Sequence, residues 1–207
     1  MSVGDGSEAR AQGDFVYSHK PSLMGAAFEF RLADDALGFR VGARAGRIPY
    51  RSIRRVRLSF RPVTTQSRRF VAEIWAADAP KLAIASSSWR SLFEQEAKDE
   101  AYGTFVRELH RRLAAAGSAA SFVRGSPPLL YWPGLAIFAA AALAIAVLML
   151  RALKDETFAS AAIIAAFFAL FVWQGGGFFR RNRPGRYRPE APPPDLVPGG
   201  QGAAVAE

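Results

Sequence analysis

Cysteine is absent from all 207 residues, which excludes disulfide scaffolds, thiolate zinc sites and cysteine catalysis. Histidine occurs only twice, at His19 and His110, and leaves little for metal or proton chemistry. Charge is absent from two long runs: the 26 residues between Arg124 and Arg151 and the 23 between Glu156 and Arg180. Acid is absent from Arg40 to Arg69, a stretch that holds ten arginines. A bilayer is crossed by about 20 apolar residues at ~1.5 Å rise each, so both uncharged runs are long enough, and a simple soluble domain is excluded. The remaining N-terminal part suffices for one hydrophobic core but hardly for two.

What is present divides accordingly. Met1 to Asp14 is small and polar, and reads as a disordered leader rather than a signal peptide. Phe28 to Leu32 alternates apolar and polar residues, Asp34 and Asp35 form a turn, and Leu37, Phe39 and Val41 continue the alternation: a β-hairpin. Gly42 to Gly46 reads as a loop. Arg55 to Arg61 has the clearest period of two, with Val56, Leu58 and Phe60 inward and Arg55, Arg57, Ser59 and Arg61 outward. Phe70 to Trp75 and Lys81 to Ala85 are further short strands. From Asp99 to Ala116 the period changes: Tyr102, Phe105, Val106, Leu109 and Leu113 form one stripe of an amphipathic helix, with Asp99 as N-cap and Gly117 as its stop.

The two apolar runs, Leu129 to Leu150 and Thr157 to Trp173, predict a tight antiparallel hairpin with Tyr131, Trp132 and Trp173 at its interfaces. Eight flanking basic residues (Arg111, Arg112, Arg124, Arg180, Arg181, Arg183, Arg186, Arg188) against two in the loop (Arg151, Lys154) predict that both ends face the cytoplasm. Ala136, Ala140 and Ala144, and Ala161, Ala165 and Ala169, recur every four residues. Small residues at this spacing let helix backbones approach, either within the hairpin or between copies. Neither run carries the ionisable residue that a transporter or proton relay uses. The triple glycine Gly175 to Gly177 reads as a flexible exit.

The basic stretch accounts for more than the net charge of +7 carried by residues 1–128. It calls for an anionic partner, and the membrane is the nearest, where each Lys or Arg contributes roughly 1 kcal/mol. A solvated strand face balanced by acids elsewhere, or an acidic protein surface, are the other readings; no nucleic-acid signature accompanies the charge. No active site is visible. Serines 86 to 88 lack a Gly-x-Ser-x-Gly frame and read as a polar turn. His110 reads as a helix-surface histidine and His19 as a loop residue. Six prolines between Pro184 and Pro198 make residues 178–207 read as a disordered tail.

The run Arg47-Ile48-Pro49-Tyr50-Arg51-Ser52-Ile53-Arg54-Arg55-Val56, following a hairpin and followed by strands and one closing helix, resembles the Ile-Pro-Tyr-x-x-Ile-x-x-Val element of bacterial PH-like domains. The resemblance covers residues 26 to 116 and implies a cytoplasmic, membrane-associated binding or assembly module, in some cases oligomeric, without catalysis. The sequence as a whole therefore predicts an α+β chain: a leader (1–20), a small antiparallel PH-like sheet or barrel capped by one C-terminal helix (21–117), a linker (118–128), two membrane helices (129–150 and 157–177) joined by a short non-cytoplasmic loop (151–156), and the tail. Its expected place is a bacterial inner membrane. The expected partners are the membrane itself, an anionic lipid and a second copy or membrane complex, with no cofactor, metal or nucleic acid. Arg51, Arg54, Arg55, Arg57 and Arg61 are the expected anion-binding residues, and the six alanines are the expected helix-packing residues.

Overall fold

The computed structural model describes residues 15–22, 24–62, 68–90, 95–154 and 158–199. The chain is α+β, with antiparallel sheets and three helices, and it divides into two units: residues 1–123 with 186–207, and residues 124–185.

In the first unit, β1 (Phe15–His19), β2 (Phe28–Leu32), β3 (Ala36–Val41) and β4 (Arg44–Pro49) form an antiparallel meander. Its register sets Leu37 beside both Leu32 and Ile48, all three buried. A second sheet has the order β11-β10-β5-β6-β7, built on β5 (Ile53–Phe60), β6 (Phe70–Ala76) and β7 (Leu82–Ala85), with β10 (Ser121–Arg124) and β11 (Gly185–Arg186) beyond β5. β8 (Ser87–Trp89) and β9 (Gln95–Ala97) form a separate pair. Helix α1 (Asp99–Ala115) buries Tyr102, Phe105, Val106, Leu109 and Leu113, the predicted stripe. Gly117, at φ +62°, ends it as expected.

Four expectations change among residues 1–117 of this unit. The leader is expected to run to residue 20, but Phe15–His19 is strand β1, paired with β2; residues 1–14 lie outside the described part. Residues 42–46 are not a loop, because β4 begins at Arg44. Only Ile48 of β4 is buried, so this strand has no hydrophobic alternation; a tight turn at Gly42, φ +61°, sets its pairing. Lys98, not Asp99, is the N-cap residue; Asp99 and Glu100 occupy the first turn, where acids favour the positive end of the helix dipole. Ser59 does not face outward into solvent: it pairs with Val71, and both are buried.

The largest departure is the C-terminal segment. The residues expected to form a disordered tail return to α1. Tyr187 N–H donates to the Phe122 carbonyl at 3.2 Å, and the Tyr187 ring packs on Phe122 and His110. Pro193, Leu196 and Val197 are buried, and Arg107 donates to the carbonyls of Pro198 at 3.0 Å and Gly199 at 3.2 Å. The helix is shaped for this strap at Gly103, where a β carbon would lie 1.7 Å from the Pro198 carbonyl oxygen. Proline richness signals a chain that resists helix and sheet, and here it makes a strap of turns, closed by bonds from Ala191 to Arg188 and from Leu196 and Val197 to Pro193, that buries two aliphatic side chains. The expected linker is also ordered: Ser118 bonds back to Leu113 and Tyr50, and β10 follows.

The second unit is a helical hairpin. Helices α2 (Pro128–Lys154) and α3 (Phe158–Arg181) hold 27 and 24 residues, about 40 and 36 Å at 1.5 Å per residue. Both are long and apolar enough to cross a membrane, and their boundaries run a few residues beyond the predicted ones. Residues 155–157 of the connecting loop lie outside the described part. The hairpin's ends meet at Gly125, φ +75°, where a β carbon would lie 2.3 Å from the Asn182 carbonyl oxygen. Ser126 N–H donates to that same oxygen at 2.9 Å.

The alanine stripes divide. Ala161 is buried and Ala165 half-buried, but Ala136, Ala140, Ala144 and Ala169 are exposed. Phe138 fills the seam instead, stacked on Phe171 at 4.7 Å and tilted against Phe179 at 5.1 Å. The close approach is at Gly175, where a β carbon would lie 2.1 Å from the Phe138 ring. Gly175 to Gly177 are therefore helix interior, not an exit. Gly175→Leu should force the helices apart at this level, at a cost of about 1–3 kcal/mol or more for overpacking. Adding Phe138→Ala should recover most of that loss, as read from thermal unfolding in detergent.

Candidate anionic-surface site

The alternation of β5 sends Val56, Leu58 and Phe60 into the core and Arg55 and Arg57 to the opposite face of the sheet. The register with β6 places Trp75 opposite Arg55, and Glu73 opposite Arg57. On the other side of β6, Ala83 of β7 lies opposite Glu73. Arg61 follows β5 directly and Lys81 precedes β7, so cations stand on both flanks of the central strand.

Their arrangement is specific. The Glu73 side chain is only 2% exposed, although it belongs to the face turned away from the core. Its Oε2 accepts from Arg61 at 2.8 Å, and its Oε1 pairs with Lys81 at 2.5 Å. Both cations remain about half exposed, at 50% and 48%. A carboxylate removed from water requires such partners, since an uncompensated buried charge costs several kcal/mol. Three cations also lie over the indole of Trp75: Lys81 at 4.9 Å, Arg57 at 5.3 Å and Arg55 at 5.9 Å from the ring centroid. Such contacts contribute roughly 0.5–2 kcal/mol each. Burial holds the Arg57 guanidinium below its ordinary pKa, with Glu73 opposing. Four cations and one acid thus share a small area of the sheet surface.

Of the five arginines singled out by the sequence, Arg55, Arg57 and Arg61 belong to this cluster. The other two do not. Arg51 donates from Nε to the Ala116 carbonyl at 3.1 Å and so closes the C-terminal end of α1. Arg54 sits at a register shift between Ile53 and Arg55, where the irregularity exposes two successive arginines at the sheet surface. Trp75, Glu73 and Lys81 were missed. Their signal was legible, since residues 73 and 75 share a period of two with residues 55 and 57; what the sequence lacked was the register that brings them together.

The other candidates are structural. Ser86 Oγ accepts from the Phe70 N–H and Ser88 Oγ from the Lys20 N–H, each at 3.0 Å. Asp35 pairs with Arg47 at 2.7 Å, and Asp34 lies 3.7 Å from Arg112. His19 is not a loop residue but lies buried in β1, stacked on Phe30. His110 is not on the helix surface: it is 1% exposed. Its Nδ1 lies 2.7 Å from the Val106 carbonyl and its Nε2 lies 2.9 Å from the Tyr187 hydroxyl. A carbonyl only accepts, so Nδ1 carries the proton and Nε2 accepts from tyrosine. Among the described residues no group of three or more His, Asp or Glu is placed to hold a metal ion.

Compared with known proteins, the chain matches no family model, no curated sequence and no solved structure. The site therefore rests on its own geometry.

Proposed function

We propose that this chain is a non-enzymatic, membrane-anchored binding or adaptor protein. In this reading α2 and α3 span a bacterial inner membrane with both termini cytoplasmic, and the cationic face of β5–β7 engages anionic lipid headgroups. The single observation that carries it is the cluster of Arg55, Arg57, Arg61 and Lys81 around Trp75, with one acid among them. Charge of this density attracts an anionic surface, and an indole beside cations is the residue combination that sits at a lipid interface. The PH-like reading of the first unit is supported by its order: a four-stranded antiparallel meander, three further antiparallel strands, the short β8–β9 pair, then one helix. Orientation is supported by the eight flanking basic residues against two in the loop.

A second reading, an accessory subunit of a membrane complex, is favoured by one observation: Ala136, Ala140 and Ala144 are exposed and take no part in the α2–α3 seam. The two readings separate by mutation. Arg55→Glu with Arg57→Glu reverses four charge units in all, and at roughly 1 kcal/mol per unit near an anionic leaflet it should abolish measurable binding to anionic vesicles. Ala140→Leu should leave vesicle binding untouched and disturb only co-purification with a membrane partner. Retention of vesicle binding by the double charge reversal would remove the first reading.

A further inference from the structure

We infer that Arg57, Arg61 and Lys81 form a discrete seat for a phosphomonoester headgroup, with Glu73 as the residue that positions two of them. The inference rests on the anionic-lipid reading above and names the ligand of that same face.

A diffuse positive surface consists of long side chains that move independently. Here they do not. Arg61 and Lys81 are each tethered by one bond to a carboxylate that is almost entirely buried and cannot follow them outward. Arg57 stands opposite that carboxylate on the neighbouring strand, and Arg57 and Lys81 lie 5.3 and 4.9 Å from the centroid of one indole ring. Three cations are thus fixed from three strand ends or faces around one point. Holding them beforehand removes most of the side-chain ordering that binding otherwise requires.

The donors suit the ligand. Glu73 engages only Nη2 of Arg61 and one of the three protons of Lys81, so most N–H groups on both remain for a second acceptor. On the β7 side the residue opposite Glu73 is Ala83, small and exposed, so no long side chain stands at that strand position. A phosphomonoester presents three free oxygens and between one and two negative charges. A phosphodiester presents two oxygens and a single charge, and can satisfy fewer of the three cations. Among the described residues of the cluster one acid, Glu73, stands with Arg55, Arg57, Arg61 and Lys81, so the cluster keeps an excess of positive charge that a doubly charged group fits best.

The test uses the full chain in lipid nanodiscs and reads the acylation rate of Lys81 by mass spectrometry. The chain has only four lysines, so Lys20 and Lys98 serve as internal references. Three disc compositions are compared: neutral lipid alone, neutral lipid with phosphatidic acid, and neutral lipid with twice as much phosphatidylglycerol to equalise charge. Inorganic phosphate is added to the neutral discs as a separate arm. The seat predicts that phosphatidic acid slows Lys81 at least about fivefold, a step of roughly 1 kcal/mol, and that phosphatidylglycerol and inorganic phosphate slow it far less. Glu73→Gln should erase the difference between the two lipids while retaining some slowing by both, since it frees the cations without removing them. Equal slowing by both lipids in the wild type would overturn the seat and leave the anionic-surface reading intact. Slowing by inorganic phosphate as strong as by phosphatidic acid would overturn the lipid assignment. No slowing in any disc would remove the anionic-surface reading together with the seat.

Discussion

Replacing Gly103 with valine should release the C-terminal strap from α1 and expose it to protease. A β carbon at position 103 would lie 1.7 Å from the Pro198 carbonyl oxygen and 2.9 Å from its carbon. Both are backbone atoms and cannot rotate away, so the strap must leave. The helix itself tolerates the change, because glycine is already among the poorest helix formers. The loss falls on Leu196 and Val197, which are 0% and 4% exposed, and on the two bonds from Arg107. Burial of one such aliphatic side chain contributes roughly 1.5–3 kcal/mol. Local opening of the strap should become easier by about 3 kcal/mol, and cleavage by trypsin at Arg186 about a hundredfold faster, at ~1.4 kcal/mol per factor of ten. Leu196→Ala should act in the same direction without any clash, at a cost of roughly 2–5 kcal/mol. Unchanged cleavage in both variants would mean that the strap is not held in this groove.

The second large effect is acid sensitivity, and it centres on the two histidines. Burial pushes His110 down to about 4, with the Val106 carbonyl opposing. Burial also pushes His19 down to about 4, with Arg69 and Lys98 adding to the effect. Both groups are neutral when folded and take up a proton near the ordinary histidine value of 6.5 once unfolded. The unfolded chain therefore binds more protons in the interval between 6.5 and 4, and stability falls as pH falls through it. Each histidine accounts for roughly 3 kcal/mol across that interval at ~1.4 kcal/mol per pKa unit, a large share of a typical domain's stability. The first unit should thus unfold at mildly acid pH. Glu108 is held at about 2 by its hydrogen bond to Arg111, with Arg112 contributing, so its part is lost only below the ordinary carboxylate range. His110→Gln should halve the slope of stability against pH between 6.5 and 4. A slope equal to that of the wild type would show that His110 is not the buried neutral group described above.

Most of the fold was legible because its signals are local. The alternation at Arg55–Arg61 and the stripe Tyr102–Leu113 each report burial through spacing alone, and both elements form where expected. The two apolar runs are equally local. What failed depended on partners distant in sequence. His110 lies beside a polar sequence neighbourhood, Arg111 and Arg112, yet Tyr187, 77 residues later, covers it. The strap failed for the same reason: a proline-rich segment looks unstructured until a groove with a glycine floor is present to receive it. The alanine repeats divide, with Ala161 and Ala165 covered and Ala136, Ala140, Ala144 and Ala169 exposed. Regular spacing suggested an interface, but one phenylalanine seated on one glycine determined which face of α2 turns toward α3. In the candidate site, three of the five arginines picked out by charge lie together, whereas the place of Glu73, Trp75 and Lys81 beside them required the strand register.

The central claim, that the β5–β7 face contacts an anionic surface, is tested most directly by a salt series. The full chain in neutral nanodiscs would be mixed with neutral or anionic vesicles and the bound fraction measured by flotation at rising ionic strength. Screening shortens the reach of exposed charges from ~30 Å at 0.01 M to ~8 Å at physiological salt. The predicted result is binding to anionic vesicles alone, strongest at low salt, fading as salt rises, and absent at every salt concentration in the Arg55→Glu, Arg57→Glu variant. Binding that ignores salt, or its absence from anionic vesicles at the lowest salt, would contradict the claim.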